Sequence, residues 1–505
     1  MKFNSSHKII EAEVLKLEIK NLRPNKIIGL CHGVFDVLHS GHIRYFEEAS
    51  TMVDVLVVSV TSDDYINKGP GRPVNTIKER MNILASINLI DYIIESNSFT
   101  AVEIIEFLKP NYYFKGKDYS PNSSSADLAG NLGLEAAATI NSGGEVYYTS
   151  SPLYSSSSLI NSLTISKQND KSVIDYVKLF FKLNPIGNYL KLLKDKKVSI
   201  IGEIILDEYI YTESLGKSGK HPIVAEREIY RQQILGGIIP TVSTFETFIK
   251  SGNLNVISVA NSDSLSYQSP SYANIVTDKN YTPIVKTRYI NEKTNTFMYE
   301  IYQLDDNFIS ENSDSAILSR LQKSAEDSDL LLSLDFGHGL ITPSSREFIR
   351  KNFKYFALNV QKNAGNKGFS TISKYNLANL VVLNGEEVEL ELKQKGIHLS
   401  EAALLIHKKM QAEIVVITDG ANGLVISNGS STYKIPSYFS GVIKDRTGAG
   451  DSVFAIISLF SLVIKDLKVL GYLGNLAGSL NLNWVANENI ITSDNFLKAL
   501  IYSLK

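Results

Sequence analysis

The chain has 505 residues, of which 44% are hydrophobic and 21% charged, so it is long enough for two or three domains that each bury a full core. Its 51 Lys and Arg residues nearly balance 53 Asp and Glu residues, which argues against a nucleic-acid or membrane-surface partner. The single cysteine, Cys31, excludes an intrachain disulfide framework and a cysteine-based metal site. The amino terminus lacks the apolar run of a signal peptide, and the apolar-rich run over 453–464 is too short to span a bilayer. We therefore expect a cytoplasmic protein.

Strand and helix patterns alternate over residues 26–161. The predicted strands are KIIGLCHG, VDVLVVSVTS, DYIIES, NYYFKG and GEVYYT, and helical patterns begin near Gly41, Thr76, Thr100 and Asp127. Such alternation is typical of βαβ units, whose parallel sheets bind ligands at the carboxyl ends of the strands. The first part of the chain is therefore predicted to be an α/β domain.

The most specific local pattern is GVFDVLHSGH, which directly follows the first predicted strand. Its last four residues, from His39 to His42, open a helix, and a helix start offers unpaired N–H groups and a partial positive charge to phosphate. Two imidazoles three positions apart share one helical face and can donate hydrogen bonds to the growing negative charge of a nucleotidyl transfer. The alternative is a pair of ordinary surface or cap histidines, but the pattern F-D-x-x-H-x-G-H has a chance expectation of only about 1 in 20,000.

This motif resembles that of the cytidylyltransferase-like superfamily, and the resemblance extends over most of residues 26–161 through NKGPGRPVNTIKERMNILASINLIDYII and FKGKDY. Most similar are the glycerol-3-phosphate cytidylyltransferases and the adenylyltransferase half of the bifunctional heptose kinase/adenylyltransferase. The resemblance implies a Rossmann-like fold, ATP or CTP as the nucleotide, and catalytic roles for His39 and His42. The residues that it implies for nucleotide, phosphate or substrate binding are Gly33, Phe35, Gly41, Lys68, Arg72, Arg80, Lys115 and Asp118. For Arg80 a solvated helix face is the alternative.

A serine cluster, YSSSSLIN at residues 154–161, stands where many members carry a Ser/Thr-rich motif with a basic residue. The hydroxyls of Ser156 and Ser157, with helix N–H groups, are candidates for holding the triphosphate. The basic residue is missing here.

A polar, lysine-rich stretch and then an amphipathic pattern separate the two halves of the chain, and we interpret residues 166–196 as a linker with a connecting helix. A second α/β series begins at VSIIGEIILD and continues through NVISVA, LLLSLDF, YFALNV, NLVVLN and EIVVITDG. Within it, KTRYINEKTNTFMYEIYQ (286–303) alternates polar and apolar residues, which predicts an inserted β-hairpin. The predicted domains are residues 1–165 and 197–505.

The second domain contains DRTGAGD at residues 445–451, immediately before a helical pattern. Small residues at a helix start form a nest of N–H groups for a transferring phosphoryl group, and Asp451 is placed to accept the proton of an attacking hydroxyl. The alternative is a glycine-rich turn with an N-cap aspartate. The turn TDGANG follows the strand EIVVI and is suited to approach a nucleotide, whereas Asn384 and Glu387 form an N-x-x-E pattern that either holds magnesium through water or caps a helix.

Together these patterns resemble the ribokinase-like carbohydrate kinases across residues 197–505. The resemblance implies Asp451 as the catalytic base, ATP and Mg²⁺ as cosubstrate and cofactor, and a small β lid that includes 286–303 and mediates a homodimer. The residues that it implies for the anion hole and the nucleotide are Gly448, Ala449, Gly450, Thr418, Gly420 and Gly423, and those for the sugar are Asp207, Gly236 and Gly237.

The chain departs from the kinase pattern at two places. No asparagine follows the glycine pair, where LGGIIPTVS offers Pro240, Thr241 and Ser243, and Glu203 stands where aspartate is common. Asp335 in LDFGHG and the asparagine-rich NVQKNAGNKG are candidates for replacement contacts to the sugar, and His32 and His338 are further candidate pocket residues. The string GKSGK lacks the spacing of a phosphate loop and is rejected as one.

The preferred hypothesis is a bifunctional enzyme of nucleotide-activated sugar synthesis, with its halves in the reverse of the order found in the heptose enzyme. A nucleotidyltransferase would join a sugar phosphate to a nucleoside triphosphate, and a carbohydrate kinase would phosphorylate a sugar or sugar phosphate, on an ADP-heptose-like route. One alternative is a glycerol- or polyol-phosphate cytidylyltransferase with a degenerate, ligand-binding kinase domain. A non-catalytic assembly protein is disfavoured because both phosphate-binding patterns are present.

Overall fold

The structure is a computed structural model that describes residues 5–22, 25–66, 72–116, 131–150, 168–261, 275–294, 296–305, 307–363, 365–366, 369–438, 443, 445–484 and 489–504. Its contacts divide the chain into two compact units. The first comprises residues 1–167, 440–442 and 494–505, and the second comprises residues 168–439 and 443–493. Among the helices that the structure describes, none has the length and apolarity needed to cross a membrane.

The first unit contains a five-stranded parallel sheet in the order β3-β2-β1-β4-β5. Its strands are β1 (Ile28–Gly33), β2 (Val55–Thr61), β3 (Tyr92–Ser96), β4 (Tyr112–Lys115) and β5 (Glu145–Tyr148). The strand order reverses beside β1, and such a switch point opens a crevice at the carboxyl ends of the strands. The five strands expected from the sequence and their α/β arrangement are confirmed.

Helices cover the sheet of the first unit because the strands alternate their apolar side chains between two core clusters. Leu30 and Val57 belong to one cluster, and Cys31 and Val58 to the other. The helices are α1 (Ala12–Leu22), α2 (Ser40–Ser50), α3 (Ile77–Ala85), α4 (Val102–Leu108) and α5 (Asn131–Asn141).

The second unit contains an eight-stranded sheet in the order β19-β18-β17-β16-β15-β14-β6-β9, in which β18 alone runs antiparallel to its neighbours β17 and β19. Its strands are β6 (Val198–Gly202), β9 (Leu254–Ile257), β14 (Leu330–Asp335), β15 (Phe356–Val360), β16 (Leu380–Asn384), β17 (Ile414–Thr418), β18 (Leu424–Ser427) and β19 (Thr432–Ile435). β10 (Val259–Ala260) and β11 (Val276–Thr277) pair separately.

A second, four-stranded sheet in this unit, which we call the lid, has the order β13-β12-β7-β8. It consists of β7 (Ile204–Lys217), β8 (Val224–Gly237), β12 (Ile284–Asn291) and β13 (Thr296–Gln303). The predicted hairpin at 286–303 is thus present, but the sequence interpretation missed the long hairpin of β7 and β8. The string GKSGK lies at the tip of that hairpin, away from any strand-to-helix turn, so its rejection as a phosphate loop is confirmed.

The helices of the second unit flank its large sheet. They are α6 (Gln168–Leu183), α7 (Ile186–Lys194), α8 (Ile239–Phe248), α9 (Glu311–Asp327), α10 (Pro343–Asn352), α11 (Gly385–Leu392), α12 (Leu399–Met410), α13 (Ala449–Ser461) and α14 (Leu467–Asn481); a last helix, α15 (Ser493–Ser503), falls mostly in the first unit. Two helices, α6 and α7, occupy the stretch interpreted as a linker. They belong to the second unit, where α6 packs on α14 and α7 packs on α8 and α13.

Candidate active sites

In the first unit, His39 and His42 lie at the amino-terminal end of α2. His39 is the N-cap residue, and its Nδ1 accepts a hydrogen bond from the backbone N–H of Gly41 at 3.1 Å. A neutral imidazole that accepts at Nδ1 carries its proton on Nε2, which is then a donor. Burial lowers the pKa of His39 and so favours this neutral form. The two rings stack with centroids 4.0 Å apart, so both imidazoles are presented together at a helix end that favours anions.

The ring of Phe35 packs against the ring of His42. Its backbone is left-handed, with φ of 51°, which is uncommon for a bulky residue and typical of functional turns. Its buried ring lies 5.5 Å from the ring of His42 and 5.3 Å from that of Phe46. A Cβ on Gly33 would come within 3.2 Å of the same ring, so the glycine leaves it room. The structure therefore places the Phe35 side chain against His42, where it contributes to the shape of the site.

Asp36 ties the histidine loop to the segment that precedes α3. Its carboxylate accepts hydrogen bonds from the backbone N–H groups of Val74 and Asn75 at 2.9 Å, and the Asn75 side chain donates to the Asp36 carbonyl. Nη1 of Arg72 lies 3.9 Å from the same carboxylate, and burial lowers the pKa of this guanidinium. Arg72, expected to contact phosphate, is thereby held beside the motif.

Arg80 differs from both of its sequence interpretations. The side chain is fully buried, so the solvated helix face is wrong. Its guanidinium donates to the carbonyl oxygens of Val34, Thr61 and Asn75 and to the carboxylate of Asp63. All of its nitrogens are occupied by protein groups, so the expected direct contact with phosphate is not what the structure shows. Arg80 instead joins the carboxyl ends of β1 and β2 to α3.

Lys115 ends β4 and forms a mostly buried ion pair with Glu135 on α5, with 2.7 Å between Nζ and Oε2. Glu135 also accepts hydrogen bonds from the backbone N–H of Ala101 and from the Tyr113 hydroxyl. Burial alone would raise the pKa of Glu135, but Lys115 and these donors hold it below its ordinary value. The carboxylate of Glu135 thus fixes the position of the Lys115 ammonium, which was expected near the nucleotide. Four further candidates lie outside the described residues: Lys68, Asp118, Ser156 and Ser157.

In the second unit, Asp451 lies in the first turn of α13, which begins at Ala449. Gly448 precedes the helix with a left-handed φ of +79°, and an added Cβ on Gly450 would meet no atom of the described residues within 4 Å. The carboxylate of Asp445 fixes the approach by accepting hydrogen bonds from the N–H groups of Arg446 and Thr447. The predicted helix start is therefore present, and among the described residues nothing fills the space beside Gly450 in its first turn.

The Asp451 carboxylate lies among charged groups from three other elements. These are Glu387 on α11, Asp207 on β7 and Lys286 on β12, and the side chain of Gln361 donates a hydrogen bond to Oδ1. Loss of hydration among the surrounding protein atoms and the negative charge of Glu387 raise the pKa of Asp451 to about 7. A carboxylate with such a pKa is suited to exchange a proton near neutral pH.

Asp207, the candidate sugar-binding carboxylate, is buried at the base of the lid. Nη1 of Arg288, on the neighbouring strand β12, lies 2.7 Å from its Oδ1. A Cβ on Gly236 would lie 2.1 Å from Oδ2, so the first glycine of the pair leaves room for this carboxylate. Gly237 adopts a positive φ of +63° against the Glu203 carbonyl. The pair therefore shapes the pocket around Asp207.

Glu203 and Asp335 end the adjacent strands β6 and β14. The longer side chain of Glu203, where aspartate was expected, accepts the backbone N–H groups of Phe336 and His338, so it fastens the loop after β14. Burial and the charge of Asp335 raise the pKa of Glu203 to about 7. Asp335 accepts hydrogen bonds from the Tyr375 hydroxyl at 2.5 Å and from Gly337 N, and pairs with Lys374 at 2.7 Å. Protein groups therefore hold the Asp335 carboxylate in place.

The turn TDGANG follows β17 as predicted. An added Cβ on Gly420 would meet nothing within 4 Å, so Gly420 adjoins open space beyond Thr418. Gly423 has a φ of +93°, and its Cβ would lie 2.0 Å from the Ile435 carbonyl. Close packing against β19 therefore accounts for Gly423 without a nucleotide.

Asn384 and Glu387 form a capping box at the start of α11. The Asn384 side chain accepts the Glu387 N–H, and Glu387 Oε2 accepts the Asn384 N–H. Oε1 of Glu387 accepts the Lys362 N–H at 3.1 Å. Burial raises the pKa of Glu387 to about 7. The helix-cap interpretation is therefore confirmed, and the water-mediated magnesium role expected for Asn384 and Glu387 stays a prediction.

Sequence reasoning missed five residues of these sites: Asp36, Glu135, Lys286, Arg288 and Gln361. Three of them had a signal, since Asp36 lies inside the histidine motif and Lys286 and Arg288 alternate on the predicted hairpin. Gln361 was noted only as part of a polar segment, and nothing in the sequence joins Glu135 to Lys115. Pro240 and Ser243, which replace the expected asparagine region, instead line a groove of about 480 Å³ with residues such as Gln232 and Leu235.

Comparison with known proteins assigns each region. Residues 30–161 match the model of the cytidylyltransferase-like family, and residues 346–484 match that of the pfkB family of carbohydrate kinases. The bifunctional protein HldE of Helicobacter hepaticus is 39% identical over 114 residues, which are 22% of this chain and 23% of that protein. HldE of Vibrio cholerae is 37% identical over 126 residues, 25% of this chain and 24% of that protein. The chain thus matches about a quarter of the length of these curated relatives.

The crystal structure of a point mutant of phosphofructokinase-2 from Escherichia coli has a TM-score of 0.50 and 15% sequence identity to this chain. The match covers 61% of this chain and 99% of that one, and it shows the kinase fold. With the two family matches, it establishes that this chain joins a cytidylyltransferase-like nucleotidyltransferase domain to a carboxyl-terminal carbohydrate kinase domain of the pfkB family.

Proposed function

We propose that this chain is a bifunctional enzyme of nucleotide-activated sugar synthesis. The observation that carries the proposal is the presence, in one chain, of two phosphate-binding helix starts with different chemical partners. α2 presents two imidazoles, and α13 presents a carboxylate. The first set suits nucleotidyl transfer and the second suits phosphoryl transfer.

In the nucleotidyltransferase domain, an oxygen of a sugar phosphate attacks the α-phosphorus of a nucleoside triphosphate and pyrophosphate leaves. His39 and His42 donate hydrogen bonds to the phosphate oxygens, and the N–H groups of α2 add the field of the helix start. Arg72 and Lys115 neutralise further phosphate charge, while Asp36 and Glu135 hold these cations in place. No covalent nucleophile is needed.

In the kinase domain, an acceptor hydroxyl attacks the γ-phosphorus of ATP and ADP leaves. Asp451 accepts the hydroxyl proton as the new P–O bond forms, and Asp207 orients the acceptor. The transferring phosphoryl would lie beside Gly448, Ala449 and Gly450 at the start of α13, where a Cβ on Gly450 would meet no atom of the described residues within 4 Å and N–H groups stabilise the charge.

Magnesium is proposed to enter with the ATP phosphates, since Mg²⁺ usually keeps several waters and binds through one or two carboxylates plus substrate phosphate. Within the described residues no group of three or more His, Cys, Asp or Glu side chains is arranged to hold a metal. Glu387 fits a water-mediated role, because both of its oxygens already accept backbone N–H groups. The metal would shield the phosphate charge during transfer.

The proposed route resembles ADP-heptose synthesis, because the curated relatives that match the first domain are bifunctional HldE proteins. The kinase and transferase halves then stand in reverse order. We further propose ATP over CTP for the first domain and a cytoplasmic location for both reactions.

A homodimer through the lid is part of the proposal. Exposed apolar side chains cluster on its two outer strands, which is unusual for a free surface. They are Val224, Ile229 and Tyr230 on β8 and Phe297, Met298, Tyr299 and Ile301 on β13.

A second candidate is a glycerol- or polyol-phosphate cytidylyltransferase whose kinase domain only binds a ligand. It is favoured by the Asp207–Arg288 ion pair, because Arg288 already binds the carboxylate that was expected to bind the sugar. Asp451 beside the open helix start disfavours it, since binding alone needs no base there.

The test is pyrophosphate release by the purified chain with ATP or CTP against sugar 1-phosphates and polyol phosphates, together with ADP release on free sugars and sugar phosphates. Pyrophosphate release with ATP and a heptose 1-phosphate, plus ADP release on a heptose or its phosphate, is the expected result. Release with CTP and a polyol phosphate but no ADP with any acceptor would establish the second candidate. No turnover in either assay would refute both.

A further inference from the structure

The side chain of Gln361 contacts the carboxylate of Asp451 from the carboxyl end of β15 in the large sheet. It directly follows β15, and its side-chain Nε2 donates a hydrogen bond to Oδ1 of Asp451. Among the residues that the structure describes, none donates a hydrogen bond to Oδ2. The two oxygens of the carboxylate are therefore unequal before any substrate binds.

The main chain around Gln361 is fixed at several points. Its N–H donates to the Asp335 carbonyl at 2.9 Å, and its carbonyl accepts the Asn366 side chain at 3.3 Å. The next residue, Lys362, donates its N–H to Glu387 Oε1. The amide of Gln361 is thus presented to Asp451 by an anchored segment.

An amide is well suited to this place because it stays uncharged over the physiological pH range. It donates to the ionised carboxylate without competing for its proton, and so favours the ionised form. Three charged groups also face Asp451: Glu387 from α11 and Asp207 from β7 favour its protonation, and Lys286 from β12 opposes it.

We propose that Gln361 is a positioning residue for the base of phosphoryl transfer, holding Oδ1 of Asp451 and leaving Oδ2 to accept the hydroxyl proton. The inference rests on the proposed kinase activity. In the step, the acceptor O–H bond breaks, its proton passes to Oδ2, the new O–P bond forms, and the bond from the γ-phosphorus to ADP breaks.

The test is the titration of Asp451 itself, followed by ¹³C NMR of protein labelled at the aspartate Cγ, with Asp451→Asn used to assign the signal. Gln361→Met removes the donor and should raise the proton affinity of Asp451 about tenfold, one pH unit. Gln361→Glu keeps the shape but adds a carboxylate, and should raise it further. The acidic limb of kcat/KM for ADP release should move by the same amounts.

The exposed Gln394, in the loop after α11, gives the matched control Gln394→Met, which should titrate as the unaltered protein does. A merely structural role for Gln361 predicts that the near-isosteric Gln361→Glu behaves as the unaltered protein. That outcome, or an unchanged Asp451 titration in both variants, overturns the inference. If no acceptor is phosphorylated, the proposed kinase activity fails, while the NMR titration still decides whether Gln361 governs Asp451.

Discussion

Both candidate sites lie at the amino-terminal end of a helix, and they differ in the charge of the side chains around that end. At α2, the side chains are two imidazoles with Arg72 and Lys115 nearby, so the site is cationic or neutral. At α13, Asp451 lies with Glu387 and Asp207; Lys286 offsets the negative charge at Asp451, and Arg288 pairs with Asp207. Nucleotidyl transfer starts from an ionised phosphate and needs donors, whereas phosphoryl transfer to a hydroxyl also needs an acceptor for a proton. Under the proposed function, the helix start binds phosphate in both sites and the neighbouring side chains select the reaction.

The largest expected effect is that of Asp451→Asn, which removes the proton acceptor and keeps the shape. ADP release should fall about 10²- to 10⁴-fold, while pyrophosphate release stays unchanged. Asp445→Asn, at the turn before α13, is the comparison for a carboxylate that accepts hydrogen bonds from Arg446 and Thr447 in its own turn. Equal loss of both activities in Asp451→Asn would contradict independent sites.

The reciprocal change is His42→Ala, which removes one donor at the start of α2. Pyrophosphate release should fall about 10²- to 10³-fold with ADP release unchanged, as expected for the loss of one charge-stabilising donor. His7→Ala alters an exposed histidine of the same unit and serves as the control. If His42→Ala leaves pyrophosphate release intact, the motif is not catalytic.

The supporting ion pair of the first domain is tested by Glu135→Met. Removing one member of a mostly buried pair leaves Lys115 uncompensated, and should lower the free energy of unfolding by about 3 kcal/mol. Urea unfolding measures this. The exposed pair of Lys26 and Asp54 provides the comparison, since Lys26→Met should change stability by only ~0.5 kcal/mol. Similar losses for both would show that Lys115 is not held by Glu135.

The smallest effect is a difference in pH dependence between the two reactions. Asp451 has a pKa of about 7 and acts as a base only when ionised, so kcat/KM for ADP release should fall as pH decreases below 7. Burial lowers the pKa of His39, so its neutral form extends to lower pH than that of an ordinary histidine. Parallel rate profiles measured between about pH 6 and 8 should therefore diverge at the acidic end. Coincident acidic limbs would contradict the assignment of Asp451.

The sequence predicted most of the fold because strand and helix periodicity is a local property. The five strands of the first sheet, six of the eight strands of the second, the histidine turn and the turn before α13 all follow patterns of a few neighbouring residues, whereas β18 and β19 were not predicted. Contacts between distant segments were less accessible. The pair Lys115–Glu135 and the bond from Gln361 to Asp451 join residues 20 and 90 positions apart, and no local spacing encodes them.

The error about Arg80 has the same origin. A basic residue on a helix after a phosphate-binding segment has the pattern of a surface cation, and its burial depends on carbonyls contributed by β1 and β2. The long hairpin of β7 and β8 was missed because β7 becomes exposed from Ser214 onward and nearly all of β8 is exposed or half-buried, so neither stretch shows the apolar pattern of a core strand.

The pairing of β12 with β7 has a consequence for the design of chimeras. Strand β12 contributes Arg288, which forms an ion pair with the buried carboxylate of Asp207 on β7. The two strands are therefore joined by opposite charges as well as by sheet pairing. A β12–β13 hairpin transplanted from another kinase without this arginine would leave the buried carboxylate of Asp207 without its ion-pair partner. Exchange of acceptor specificity in this fold therefore requires Asp207 and β12 to be transferred together.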